Sequence, residues 1–207
     1  MEKIIYLIRH GKQERNDIEG LPNKDIPLSE EGMKELIKIS QNKIFGDIEK
    51  IYCSEYLRAK STAEIIAKRN NIDIVIDSNF NERTLGDLNQ RKDIVSKYNM
   101  SYTSYQILNK SFAAQNGENF NISQARFINS FDKILNSKEN NIAIVSHGAI
   151  LKFFLLKFCE FDSKNYNIVF NNNIVAYEKL KSPEIIKLTF ENDILKCIKN
   201  ITDDLIM

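Results

Sequence analysis

Lys3-Ile4-Ile5-Tyr6-Leu7-Ile8-Arg9-His10-Gly11 decides how this chain is read. Residues 3 to 8 make an apolar, β-branched run that stops abruptly at a cation, an imidazole and a glycine. This is the pattern of a buried strand delivering polar groups at its carboxyl end. The same pattern returns late in the chain, where Asn141 to Val145 ends at Ser146-His147-Gly148. The chain has only two histidines, and both fall at this position. In open α/β sheets ligands bind outside the carboxyl ends of the strands, so one crevice is expected to hold His10 and His147.

Working outward, Gly20 to Pro27 reads as a loop. Ser29 is an N-cap with Glu30 and Glu31 in the first turn of a helix running to about Asn42. Ile48 to Cys53 is a second strand and residues 54 to 58 a loop, with Arg58 near the start of a helix that continues over Ser61 to Lys68. Ile72 to Ile76 is a third strand, followed by an irregular stretch from Asp77 to Leu88. Asn89 to about Asn119 has weak periodicity and reads as an inserted, partly helical segment. A helix over Ser123 to Leu135 follows from the spacing of Phe127, Ile128, Phe131, Ile134 and Leu135. The next helix runs from Ala149 to Phe158. Asn173 to Leu180 and Glu184 to Phe190 alternate as an edge hairpin. Strands alternating with helices predict an α/β fold, a mostly parallel central sheet with helices on both faces, in a single domain over residues 1–207.

Composition narrows the function. Lys and Arg number 29 against 28 Asp and Glu, a net charge of +1, so no global field draws the chain to nucleic acid or a membrane surface. No apolar stretch is long enough to span a bilayer, and the N-terminus reads as a strand and not as a signal peptide. A cytoplasmic location is expected. Cys53, Cys159 and Cys197 lack zinc-ligand spacing and read as buried reduced thiols. The oligomeric state is open, a homodimer through the Ala149 helix or the terminal hairpin being one option.

Charge then argues for the ligand. If the strand ends converge, Arg9, Arg58 and two imidazoles share a crevice and repel unless an anion sits among them. Guanidinium forks suit phosphate, and the helix opening after Gly148 adds its positive N-terminus. The expected partner is a small phosphorylated substrate.

Leu7-Ile8-Arg9-His10-Gly11, with Asn16 beyond it, resembles the signature of the histidine phosphatase superfamily, the phosphoglycerate mutase-like fold. An ordered set extends the resemblance: Pro27-Leu28-Ser29 with Gly32, Ser54 with Arg58-Ala59 and Thr62-Ala63, Glu82 ahead of Gly86, Gly117-Glu118, and Val145-Ser146-His147-Gly148. The resemblance implies a phosphatase in which His10 attacks phosphorus as a neutral imidazole, with Gly11 letting the backbone approach. Arg9, Arg58 and His147 would hold the equatorial oxygens, with Asn16 and the Gly148 helix start as further phosphate ligands. Glu82 would be the acid and then the base. For that it must be partly desolvated or kept away from the arginines, with Asp87 and Glu118 as the fallbacks. No metal or organic cofactor is implied. Gln13 and Asn119 depart from the family pattern, so substrate-side contacts at Gln13 are not carried over unchanged, and the segment 89–119 would cover the pocket. The alternatives are a cofactor-dependent phosphoglycerate mutase and a phospholigand-binding protein without catalysis.

Overall fold

A computed structural model describes residues 2–14, 23–68 and 71–206. Its centre is a six-stranded sheet of order β3-β2-β4-β1-β8-β9. The strands are β1 (Glu2–Arg9), β2 (Lys50–Cys53), β3 (Asp73–Ile76), β4 (Asn141–Ser146), β8 (Glu184–Glu191) and β9 (Ile194–Asn200). The first four run parallel, and β8 lies antiparallel to both β1 and β9. Successive side chains of a strand point to opposite faces, so the unbroken apolar run of β1 reports burial on both. Ile5 and Leu7 pack with Phe127, Phe131 and Phe154 on one face. Tyr6 and Ile8 pack with Ile39, Ala59 and Ala63 on the other.

The first face is covered by α5 (Phe120–Leu135) and α6 (Gly148–Leu155), the second by α1 (Glu30–Ser40) and α2 (Leu57–Ala67). Ser29 caps α1 as expected, its side chain accepting from the Gly32 N–H at 3.0 Å. The helix carrying Arg58 begins four residues earlier than the expected Ser61, and this brings Arg58 into its first turn. Between β3 and α5 the chain forms α3 (Leu88–Tyr98) and α4 (Tyr102–Leu108). They leave and return through a stem in which Asp87 N–H donates to Gln115 O and Glu118 N–H to Thr84 O. Gly86 sits in this stem at φ +70°, and a Cβ there would come within 2.7 Å of Gly117 N.

The terminal region differs from the expected edge hairpin. Residues 173–176 form β7, which joins β5 (Glu160–Asp162) and β6 (Asn167–Phe170) in a separate antiparallel sheet. Residues 184–191 pair instead with β1, and the true hairpin is β8 with β9, turning at Asn192 and Asp193 in left-handed conformation. Alternation reported two strand faces here but not their partners, which are set by long-range pairing. Cys53 is buried and Cys159 half-buried, whereas Cys197 is exposed on the edge strand β9. Among the described residues no helix is long and apolar enough to cross a membrane.

Candidate active site

The β1–β4 register pairs Arg9 with Ser146, so the next residue on each strand is a histidine. Their rings lie 5.1 Å apart and both are buried. His10 Nδ1 donates to the carbonyl of Gly11 at 2.7 Å, while Arg58 Nε donates to His10 Nε2 at 3.1 Å. An Nε2 that accepts is unprotonated, so the ring is neutral and carries its lone pair on the side facing Arg58. Burial, the Arg58 charge and, more weakly, Arg9 push the imidazole down to about 3, against the opposing pull of the Gly11 carbonyl.

His147 is set the other way round. Its Nε2 lies 2.8 Å from Ser54 Oγ, whose own proton goes to Asn81 Oδ1 at 2.8 Å. Ser54 must then accept, so Nε2 carries the ring proton and Nδ1 is left over. Burial first, and then the positive charges of Arg58 and Arg9, hold this ring well below its ordinary value. Nδ1 is buried without a partner, as is Nε of Arg9. Buried polar atoms are expensive to leave unmet: Arg9 Nε, a donor on a residue that borders the cavity, suits an acceptor oxygen, whereas His147, which is not among the lining residues, offers at Nδ1 a lone pair that can hold such an oxygen only after taking a proton.

Arg9 donates through Nη1 to the carbonyls of Leu180 and Lys181, at 2.6 and 3.1 Å. Its Nε lies 3.4 Å from where a Cβ on Gly148 would be, so the guanidinium lies against the start of α6. Glu82 Oε2 accepts from the Ala149 N–H at 3.2 Å, at that same helix start. Arg9, His10, Gln13, Arg58, Glu82 and Gly148 all border one cavity of about 510 Å³.

Several expectations change. Glu82 takes the first of its two expected alternatives, partial desolvation, while Arg83 Nη1 lies 3.5 Å from it. The fallbacks are engaged elsewhere: Glu118 clamps Arg126 and the Thr84 N–H, and Asp87 caps α3. Asn119 caps α5. A Cβ on Gly11 would come 2.4 Å from Leu36 Cδ1 of α1, so packing against α1 also favours glycine here. Asn16 lies outside the described residues. Of the inserted segment, Thr103 reaches the cavity.

The sequence reading missed the roles of Ser54, Asn81 and Arg83. Ser54 follows β2 directly, the place that singled out the histidines, so the same rule applied to a serine would have found it. Arg83 donates to Gln106 at 2.6 Å and Thr103 at 3.0 Å, tying α4 to the residue beside Glu82.

Comparison with known proteins places the fold and the family. The chain is 27% identical over 160 residues to the adenosylcobalamin/alpha-ribazole phosphatase of Salmonella typhimurium, covering 74% of this chain and 78% of that one. It is 29% identical over 151 residues to the probable phosphoglycerate mutase GpmB of Erwinia tasmaniensis, covering 71% and 70%. The fold is similar to that of mycobacterial glucosyl-3-phosphoglycerate phosphatase, with TM-score 0.69 and 16% identity over 97% of this chain and 96% of that one. That protein has also been solved with inorganic phosphate and with VO3. The family model of the histidine phosphatase superfamily (branch 1) matches residues 5–178, and the chain belongs to that superfamily.

Proposed function

We propose that the protein hydrolyses a small phosphomonoester by way of a phosphohistidine on His10, without a metal ion. The observation that carries this is the tautomer of His10: Nδ1–H is spent on Gly11 and the Nε2 lone pair lies beside Arg58. Such a nitrogen is a nucleophile at neutral pH without first losing a proton.

Nε2 attacks phosphorus and the bond from phosphorus to the leaving oxygen breaks, that oxygen taking a proton from Glu82. Arg9, Arg58 and His147 hold the equatorial oxygens, and the N-terminus of α6 at Gly148 adds its dipole. Asn16 is a further oxygen ligand, and Gln13 a contact to the rest of the substrate. In the second half Glu82 takes a proton from water as the water oxygen attacks phosphorus and the P–N bond breaks, which restores His10. The arginines supply the charge neutralisation that magnesium provides in other phosphoryl-transfer sites. Residues 89–119 act as the cap that selects the substrate, held in place by Arg83, in a single catalytic domain that works in the cytoplasm.

The test is hydrolysis of an aryl phosphate in EDTA, with His10→Ala as the control. Turnover that survives the chelator and disappears in the variant supports the reading, and activity that returns only with a divalent metal sinks it. Because one relative is named a probable phosphoglycerate mutase, a second arm offers 3-phosphoglycerate with 2,3-bisphosphoglycerate. Isomerisation without net hydrolysis would replace phosphatase by mutase, and tight phosphate binding with no turnover in either arm would leave a binding protein.

A further inference from the structure

The mechanism leaves one buried cation of the cavity without a task. Lys152 belongs to α6, one turn beyond Gly148, and is 6% exposed. It borders the same cavity as Arg9 and His10. Its ammonium donates to a single backbone carbonyl, that of Glu178. Among the described residues no carboxylate lies within ion-pair distance of it. A lysine is rarely buried unless paired, and this ammonium has donors to spare.

The charge of the whole cavity points the same way. Arg9, Arg58, Arg83, Lys152 and the exposed Lys179 border it, against only Glu82 and Glu178. A phosphate dianion at His10 leaves positive charge over among the lining cations, Lys152 and Lys179 included. We propose that Lys152, with Lys179 at the mouth, forms a second anion subsite, so that the enzyme selects phosphomonoesters bearing a further acidic group about one helical turn, ~5–6 Å, from the transferred phosphoryl. This subsite presupposes the phosphatase activity proposed above.

The subsite has its own pH signature. Arg9 from β1, Arg83 from the loop after β3, Glu178 from the segment after β7 and Glu184 from β8 all act on Lys152. Burial, with Arg9 and Arg83 pushing the same way, outweighs the two carboxylates and lowers the ammonium to about 8. Lys152 therefore loses its charge as the pH rises from 7 to 9.

The experiment compares kcat/KM for 3-phosphoglycerate with that for glycerol 3-phosphate, its analogue without the carboxylate. Propane-1,3-diol bisphosphate serves as a second acidic ester that separates carboxylate from phosphate preference. In the wild type at pH 7 the acidic esters should be favoured by about 10- to 100-fold, the range of a charge-assisted contact. For 3-phosphoglycerate that ratio should fall roughly tenfold by pH 9. Lys152→Met should collapse it, Lys152→Arg should keep it, and Lys179→Ala, on the surface, should lower it partially even if the buried variant fails to fold. A wild-type ratio near one, or a ratio that moves with neither pH nor substitution, overturns the subsite and leaves the phosphatase intact. No turnover of any ester overturns both.

Discussion

The ends of β1 and β4 carry the same pair, His-Gly, at neighbouring register positions, and the structure gives the two imidazoles opposite tautomers. His10 is tied by Nδ1 to its own backbone and presents Nε2 beside Arg58. His147 is tied by Nε2 to Ser54 and leaves Nδ1 bare. The anchoring hydrogen bond of each ring, and not the residue type, decides which nitrogen faces the ligand. An unprotonated Nε2, engaged only by Arg58, suits attack on phosphorus once the phosphoryl oxygens take over that guanidinium. A buried imidazole that can take a proton at Nδ1 as an anion arrives suits holding an oxygen.

The sharpest way to break this contrast is to remove each ring in turn and look for the phosphoenzyme. His10→Ala should abolish an acid-labile labelled intermediate and lower kcat by at least ~10^4, on the scale seen when a covalent nucleophile is lost. His147→Ala should still form the intermediate, with kcat reduced by about 10²–10³ as for loss of one oxyanion donor. If rapid-quench labelling shows the intermediate lost equally from both, the division of labour is wrong.

Next in size is an effect on stability. His10 is held neutral at about 3 against an ordinary value of 6.5, and His147 is displaced the same way. Both bind more protons unfolded than folded, so their contribution is complete above pH 6.5 and is lost as the pH falls towards 3. For His10 alone the loss between pH 6.5 and 4.5 should be about 2–3 kcal/mol. Urea titrations should show it, and inorganic phosphate, which binds only the folded site, should offset part of it. A stability flat across that window would mean that the rings are not held neutral.

A smaller effect sharpens the contrast through a neighbour. Ser54→Ala removes the acceptor that fixes the His147 tautomer, and kcat should drop by about 10- to 100-fold, the cost of ~1 Å misplacement. Labelling of His10 should persist, whereas an unchanged kcat would show that Ser54 does not hold the ring. Smallest of all is Gly148→Ala. Its Cβ would press on Arg9 Nε at 3.4 Å, and Ki for inorganic phosphate should rise about threefold, the factor from ~0.6 kcal/mol. An unchanged Ki would mean that Arg9 yields freely.

Much of the frame was legible because it is local. The β1 and β4 runs are apolar on both faces, Ser29 announces α1, and the histidines follow their strands directly in sequence. The terminal region was misread because β7 and β8 show the same alternation but join different sheets, a choice made by contacts with β6 and β1. Lys152 was passed over for a related reason: within an apolar helix it looked like an interruption typical of a soluble core, and only the packing of α6 against β1 turned it towards the cavity.

By itself the sequence determined the parallel-sheet architecture, the pair of histidines at strand ends and the arginines that accompany them, because hydrophobic periodicity and strand termini are properties of adjacent residues. The tertiary structure decided which nitrogen of each ring is unprotonated, that Glu82 sits at the N-terminus of α6 beside Arg83, and that Glu118 is clamped to Arg126 and the Thr84 N–H. Those outcomes depend on hydrogen-bond partners brought together from distant parts of the chain, as Ser54 and Asn81 are for His147, and no local pattern encodes them.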